Sequence, residues 1–267
     1  MNTYLDKSWN NVTYQWHNAR MRDSIVTKRG TLVEMVESPY MGVTCYMDNE
    51  IQSCEADEYL YHESLVHPVM STGVDVKRVM VIGGGEGATA REVLKWRSVT
   101  HVDMYEWDKD VVSLFQNKYP RCAKGAWNDH RLNIMYEDIF EVIVHPPQIK
   151  YDVIIIDLFD PTPENMEQWN NLLMHLQNWI SPTGSIVMYA GIREFTTKKQ
   201  PYRLLWDMIS KQRTPHIVTP YRVFIPSYLG EAIFLLITPM SYTVQCNPSV
   251  ITHITPDIWR SYHTFNW

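Results

Sequence analysis

From Lys77 onward, five apolar runs too short to be helices alternate with amphipathic stretches. The runs are Val79–Ile82, Val102–Tyr105, Leu132–Met135, Tyr151–Ile156 and Ser185–Tyr189, and helical spacing falls on Ala88–Lys95, Lys109–Lys118, Met166–Asn178 and Tyr202–Lys211. Strands that are apolar on both faces and separated by helices require a parallel sheet covered on both sides. Two last segments, Val218–Phe224 and Ala232–Thr238, are joined by a short link containing Pro and Gly, which predicts an antiparallel hairpin.

A parallel α/β sheet finished by a hairpin is the layout of the class I methyltransferase-like, Rossmann-like fold, a name given by analogy. Ahead of it the chain reads as short strands with turns. Thr31–Val36 and Gly42–Met47 are β-rich, Asp48-Asn49 is a turn signal, and Glu50–Cys54 follows as a third segment. Asp57–Val66 has helical spacing, with Pro68 expected to close the helix. The expected division is a small β-domain over residues 1–56 and a larger methyltransferase-like domain over 57–267, without internal repeats.

Composition excludes several classes. With 45% hydrophobic and 20% charged residues, the chain can bury a core, so a disordered or collagen-like polymer is ruled out. A formal charge of −6 disfavours a globally basic nucleic-acid binder. Cys45, Cys54, Cys122 and Cys246 form no CxxC pair and have no His at metal-ligand spacing, so they read as reduced thiols and no metal is expected. The opening stretch is polar, unlike a signal or transit peptide, and the longest apolar run, around Val153–Ile156, is too short to span a bilayer. A soluble cytoplasmic protein without a membrane partner is the expectation.

The most informative stretch runs VMVIGGGEGATARE from Val79. Four of the chain's 11 glycines, Gly83, Gly84, Gly85 and Gly87, end a buried strand and open a helix. Such a loop lets a ligand approach the backbone. A plain tight turn is the alternative, made less attractive by how few glycines the chain has. The next strand ends in Glu106, about twenty residues on, as expected of an acid that takes ribose hydroxyls. Loop and acid together indicate an adenosine-containing ligand without choosing among NAD, FAD and S-adenosylmethionine derivatives. Two details argue against NAD: the GxGxxG register is missing, and Glu86 would repel a pyrophosphate where it would welcome a sulfonium or amine. Asp138, ending the third strand, suits the exocyclic amine of adenine or an ordinary exposed turn.

The most apolar run ends YDVIIIDLFDP, with Asp157 and Asp160 three residues apart at the carboxyl end of a central strand, where open α/β sheets bind ligands. With Glu86 they make three acids converging on one crevice, an arrangement that asks for a counter-cation. A polyamine or a polyvalent metal would supply it, and the lack of a neighbouring His in sequence speaks against metal. Asp160 also suits a helix cap before Pro161. The segment from Pro161 reads as a loop able to close over the site.

These motifs, in this order, resemble the polyamine aminopropyltransferases, the spermidine and spermine synthases. IQSCEADEYLYHESLVHP from Ile51, the GGGEGATARE loop, YEWD and DLFDP carry the resemblance, which extends from about Thr31 to the Asn247-Pro248 and Pro256-Asp257 tail. YHESLVHP and GGGEG, in place of GGGDG, are most similar to thermospermine synthases and to triamine or agmatine aminopropyltransferases. The resemblance implies decarboxylated S-adenosylmethionine as co-substrate, no permanently bound cofactor, and a homodimer. It implies Gln52 and Glu86 at the donor's aminopropyl end, Gly83, Gly85 and Gly87 around the donor, Glu106 on the ribose and Asp138 on the adenine. Asp157 and Tyr61 would bind and orient the attacking amine, with His62, Asp160, Tyr189 and Tyr228 along the amine channel. His62 stands where spermidine synthases usually carry Gln. Tyr189 replaces a usual Gln, and the segment after Asp160 lacks the Gly of a DPxGP pattern; both departures bear on substrate identity.

The implied reaction is in-line displacement at the methylene beside a sulfonium. An alkylammonium has a pKa of about ten, so the nucleophile must first lose a proton. Asp157, helped by Tyr61, is expected to receive or relay it, and the acid-rich site should reject the carboxylate of ordinary S-adenosylmethionine. A small-amine methyltransferase and a catalytically silent polyamine-binding relative are the alternatives. The GGGEG and YHE features favour a triamine acceptor over putrescine.

Overall fold

The computed structural model describes residues 3–9, 12–72, 75–194, 202–211, 216–239, 250 and 253–263; Cys246 and Asn247-Pro248 lie outside the described residues. Among them the chain begins with a hairpin, β1 (Thr3–Trp9) and β2 (Val12–His17). An antiparallel four-stranded sheet follows, β3 (Arg20–Val26), β4 (Leu32–Ser38), β5 (Gly42–Met47) and β6 (Glu50–Cys54). Next come α1 (Glu58–Met70), β7 (Arg78–Gly83), α2 (Ala88–Leu94), β8 (His101–Tyr105), α3 (Lys109–Lys118), β9 (Leu132–Met135) and α4 (Ile139–Val142). The chain continues through β10 (Tyr151–Asp157), α5 (Met166–Leu176), β11 (Ile180–Glu194), α6 (Tyr202–Lys211), β12 (His216–Ile225), β13 (Gly230–Pro239) and α7 (Pro256–Tyr262).

The large sheet has the order β12-β13-β11-β10-β7-β8-β9, with β13 antiparallel to both of its neighbours and the other pairs parallel. Successive residues of its central strands feed opposite cores. Val79, Val81, Val153 and Ile155 pack on the side that carries Leu65, Val66 and Val93, while Met80, Ile82, Ile154 and Ile156 pack with Trp169, Leu172 and Leu205. That is why these runs carry no polar alternation. The order of strands reverses between β7 and β10, and their register sets Asp157 opposite Gly83. The glycine loop and the first acid of DLFDP therefore share one crevice, at the position where such sheets hold ligands.

Three elements differ from expectation. Pro68 does not close α1, which runs on to Met70. A proline removes the bond to the carbonyl four residues back; here that carbonyl, of Ser64, accepts instead from the Tyr221 hydroxyl at 2.7 Å. The hairpin β1–β2 and strand β3 carry no strong apolar pattern. The hairpin is pinned by Asp6, 2% exposed, which accepts from Tyr46 Oη at 2.9 Å and Trp16 Nε1 at 3.1 Å. Finally, the fifth parallel strand extends well beyond Ser185–Tyr189 because β13 pairs along it as far as Glu194. The small sheet is fastened by a third apolar cluster, in which Val33, Met35 and Cys45 meet Val111, Leu114 and Phe115 of α3.

Candidate active site

The loop after β7 is built from the backbone outward. Gly83 has φ +83°, and a Cβ there would run into the Asp157 carbonyl, so close passage of the two strand ends demands glycine. A Cβ on Gly85 would stand 3.0 Å from Glu106 Oε2, so its absence brings the acid of β8 against the loop. Gly87 then caps α2 in the left-handed conformation.

Glu86, between these glycines, is already engaged. Its Oε1 lies 2.6 Å from His62 Nε2, and its Oε2 accepts from the Ser53 hydroxyl of β6. His62 Nδ1 is in turn 2.8 Å from Glu58 Oε2, and Glu58 is gripped by both terminal nitrogens of Arg91, at 2.7 and 3.0 Å. Burial alone would lower the His62 pKa, but Glu86 and Glu58 outweigh it and hold the ring well above its ordinary value. Burial likewise resists ionisation of Glu58, yet His62 and Arg91 bring it down to about 2. The convergence of acids is therefore not wholly uncompensated: the chain supplies one counter-cation of its own, which the sequence pattern did not reveal because His62 and Glu86 are 24 residues apart.

Asp157 has different partners. Its Oδ1 accepts from Tyr61 Oη at 2.7 Å and its Oδ2 from Thr89 Oγ1 at 2.6 Å, two neutral hydroxyls. Burial raises its pKa above the ordinary carboxylate value. Thr89 was not among the sequence-derived candidates; its place in the first turn of α2, right behind the glycine loop, was the available signal. Tyr61 is boxed by rings, with centroids 5.5 Å from Tyr189, 6.1 Å from Tyr228 and 5.3 Å from Phe234. The Tyr189 hydroxyl donates to Asp160, and the helical turn that follows is capped by Thr162, so Asp160 is not its cap. The Tyr228 hydroxyl donates to the Gln52 carbonyl, while the exposed Gln52 amide donates to the Glu50 carbonyl at 3.2 Å.

On the other side of the loop, Glu106 Oε1 accepts from Asp108 N at 2.9 Å, and burial pushes its carboxyl up to about 7. Asp138 caps α4 by accepting from Phe140 N at 2.9 Å, so the ordinary turn role is real, although the residue also borders the cavity. The segment after Asp160 forms a wall: Thr162 and Asn165 make a reciprocal cap, and the Asn165 amide donates to the Asp160 carbonyl at 2.9 Å.

All thirteen sequence-derived site residues except Gly87 border one cavity of about 1130 Å³. Ten carboxylate residues line it against Lys7 and His62, which makes it a receptacle for cations. A separate buried group, Glu63, His67 and Glu92, has ligand atoms within 4.8 Å of one another. Glu92 there is paired with Arg91 Nε at 2.7 Å and Lys95 Nζ at 2.5 Å.

Fold and cavity define a methyltransferase-like α/β protein with an adenosine-type loop and an acid-lined second compartment. A sequence profile of the spermine/spermidine synthase domain matches residues 58–247. Curated relatives include the polyamine aminopropyltransferase of Pyrobaculum calidifontis, 32% identical over 82% of this chain and 79% of that protein. That of Pyrobaculum neutrophilum is 33% identical over 85% and 77%. Among solved structures, spermidine synthase from Thermotoga maritima superposes with a TM-score of 0.83 at 22% identity, covering 99% of this chain and 91% of that one. A spermidine synthase in complex with the transition-state analogue AdoDATO gives 0.85 at 23% identity, covering 99% and 92%. The chain belongs to the spermine/spermidine synthase family and is an enzyme of the polyamine aminopropyltransferase class.

Proposed function

We propose that this enzyme moves the aminopropyl group of decarboxylated S-adenosylmethionine to an amine of a linear triamine, releasing methylthioadenosine, and that thermospermine or spermine is the product. The observation that carries the reading is Asp157: a half-buried carboxylate held by two neutral hydroxyls, bordering a cavity rich in acidic side chains. Such a group is oriented but not neutralised, and its raised pKa suits it to accept a proton from an ammonium.

The donor's adenosine lies along the glycine loop, with Glu106 on the ribose hydroxyls and Asp138, through its second oxygen, on the adenine. Gln52 and Glu86 receive the aminopropyl end. The acceptor enters past Asp160, Tyr189 and Tyr228 to bring one nitrogen to Asp157 and Tyr61. With nitrogen, methylene carbon and sulfur held in line, the bound geometry replaces a bimolecular encounter. The sulfur leaves neutral, so no general acid is required. The two-domain division at residues 56 and 57, a homodimer and a cytoplasmic location suited to the free thiols of Cys45, Cys54 and Cys122 belong to the same proposal.

The test is incubation with the decarboxylated donor and putrescine, agmatine or spermidine, with products separated chromatographically. Transfer to spermidine above the diamines is expected. Preferred transfer to putrescine or agmatine would remove the triamine assignment, and methyl transfer from S-adenosylmethionine in place of aminopropyl transfer would remove the reaction.

A further inference from the structure

His62 sits on the inner side of α1, 2% exposed, with both ring nitrogens facing carboxylates. Nε2 is 2.6 Å from Glu86 Oε1; Nδ1 is 2.8 Å from Glu58 Oε2 and 2.7 Å from the Glu58 carbonyl. A neutral imidazole has one N–H and one lone pair, so either tautomer would set a lone pair against an acceptor. With both carboxylates ionised, only the doubly protonated ring satisfies both sides. Further along the same helix, His67 shows the contrasting pattern: Nε2 faces Glu92 at 2.9 Å, while Nδ1 receives the Trp96 indole N–H at 3.1 Å. The partners of His62 are themselves fixed, Glu58 by Arg91 and Glu86 by Ser53. Its ring centroid is 5.1 Å from that of Tyr61, whose hydroxyl holds Asp157.

We propose that His62 is a positioning residue acting as a built-in cation: it sets the Glu86 carboxylate in place and, from one ring's width away, favours loss of the proton from the acceptor ammonium beside Asp157. The inference rests on the reading of Asp157 as the acceptor site. A nearby positive charge disfavours a second one, so the bound ammonium becomes more acidic. Its proton passes to the Asp157 carboxylate. The freed nitrogen lone pair forms the bond to the donor methylene, and the carbon–sulfur bond breaks with its electrons passing to sulfur. Methylthioadenosine leaves neutral, the product nitrogen carries the positive charge the sulfonium had, and Asp157 later returns its proton to water. The same cation weakens the hold on a protonated amine, so it raises turnover at the expense of affinity.

The groups facing this ring are Glu58 and Tyr61 of α1, Glu86 of the loop, Arg91 of α2 by way of Glu58, and Asp157 of β10; Tyr228, before β13, lies near Glu86 and Asp157. The thiols of Cys45 and Cys122 lie near Glu86. Burial keeps Tyr61, Tyr228 and both thiols protonated across the neutral range. Glu106, at about 7 on the donor side, is held constant by working at saturating donor.

The experiment compares the pH dependence of kcat for the wild type and His62→Gln at saturating decarboxylated S-adenosylmethionine, with spermidine and putrescine as acceptors. The acidic limb of kcat should move up by about one pH unit in the variant, with KM for the amine falling several-fold. A purely structural role would lower kcat and thermal stability while leaving the limb unmoved, and that result would overturn the inference alone. Absence of transfer by the wild type to either amine would overturn the acceptor reading and this inference with it. Independently of how His62→Gln folds, the ¹⁵N spectrum of histidine-labelled wild-type protein should show both His62 nitrogens protonated through pH 8. A neutral ring at that pH would also overturn it.

Discussion

Glu92 and Asp157 are both carboxylates set into the protein interior, yet their surroundings move their pKa values in opposite directions. Glu92, 1% exposed, is held by Arg91, Lys95 and His67, and these partners overcome burial to keep its carboxyl well below the usual range. Asp157 receives the hydroxyls of Tyr61 and Thr89, and burial leaves its carboxyl above the usual range. Charged partners offset desolvation and fix a carboxylate as scaffold. Hydroxyl partners orient it but leave its charge for a ligand. In the proposed reading, what separates a scaffold acid from the acceptor acid is what surrounds it.

The strongest way to break the comparison is Asp157→Asn. Turnover should fall roughly 10³-fold, with methylthioadenosine affinity within about threefold of wild type by calorimetry and no loss of thermal stability. A variant that instead unfolded would place Asp157 with Glu92.

Glu92→Gln should do the reverse. It removes the charge that faces Lys95 and one of the two carboxylates that pair with Arg91, so urea unfolding should register a loss of about 3 kcal/mol, with turnover per folded molecule within about threefold. A larger drop in turnover would mean that the chain of charges from Glu92 through Arg91 and Glu58 to His62 links the two acids.

Glu106 offers an intermediate case, a half-buried carboxylate with no cation among its neighbours in the described residues. Its pKa is raised in the fold, from 4.5 to about 7, so the folded state binds the extra proton and its contribution to stability falls as pH rises from about 4.5 through about 7. Ribose hydroxyls need the ionised form as acceptor. Methylthioadenosine should therefore bind roughly tenfold more tightly at pH 8 than at pH 6, a dependence that calorimetry should find absent in Glu106→Gln.

The smallest effect expected is that of Thr89→Val. Loss of one hydroxyl should cost about 1 kcal/mol, or roughly fivefold in kcat, and push the Asp157 carboxyl still higher, seen as an upward shift of the acidic limb. An unchanged profile would show that Tyr61 alone orients Asp157.

Much of this was legible beforehand because it is written in local patterns. Uninterrupted apolar runs such as Val153–Ile156 mark strands covered on both faces, and glycines clustered after Ile82 mark a ligand loop. The first hairpin was not legible, since its polar strands are stabilised by Asp6 meeting Tyr46, forty residues away. Nor was the course of α1, because Pro68 is tolerated only where Tyr221 takes up the stranded Ser64 carbonyl. Within the site, Asp157, Tyr61 and Glu86 were readable from motifs, whereas Thr89, Ser53 and the Glu58–Arg91 pair were not.

By itself, then, the order of residues determined the sheet, the loop and the inventory of acids. Which acid keeps its charge available was decided only when distant segments met. A carboxylate's ionisation depends on the dielectric and the charges within a few ångströms, and those neighbours come from α1, α2, β6 and β10, which only folding brings together.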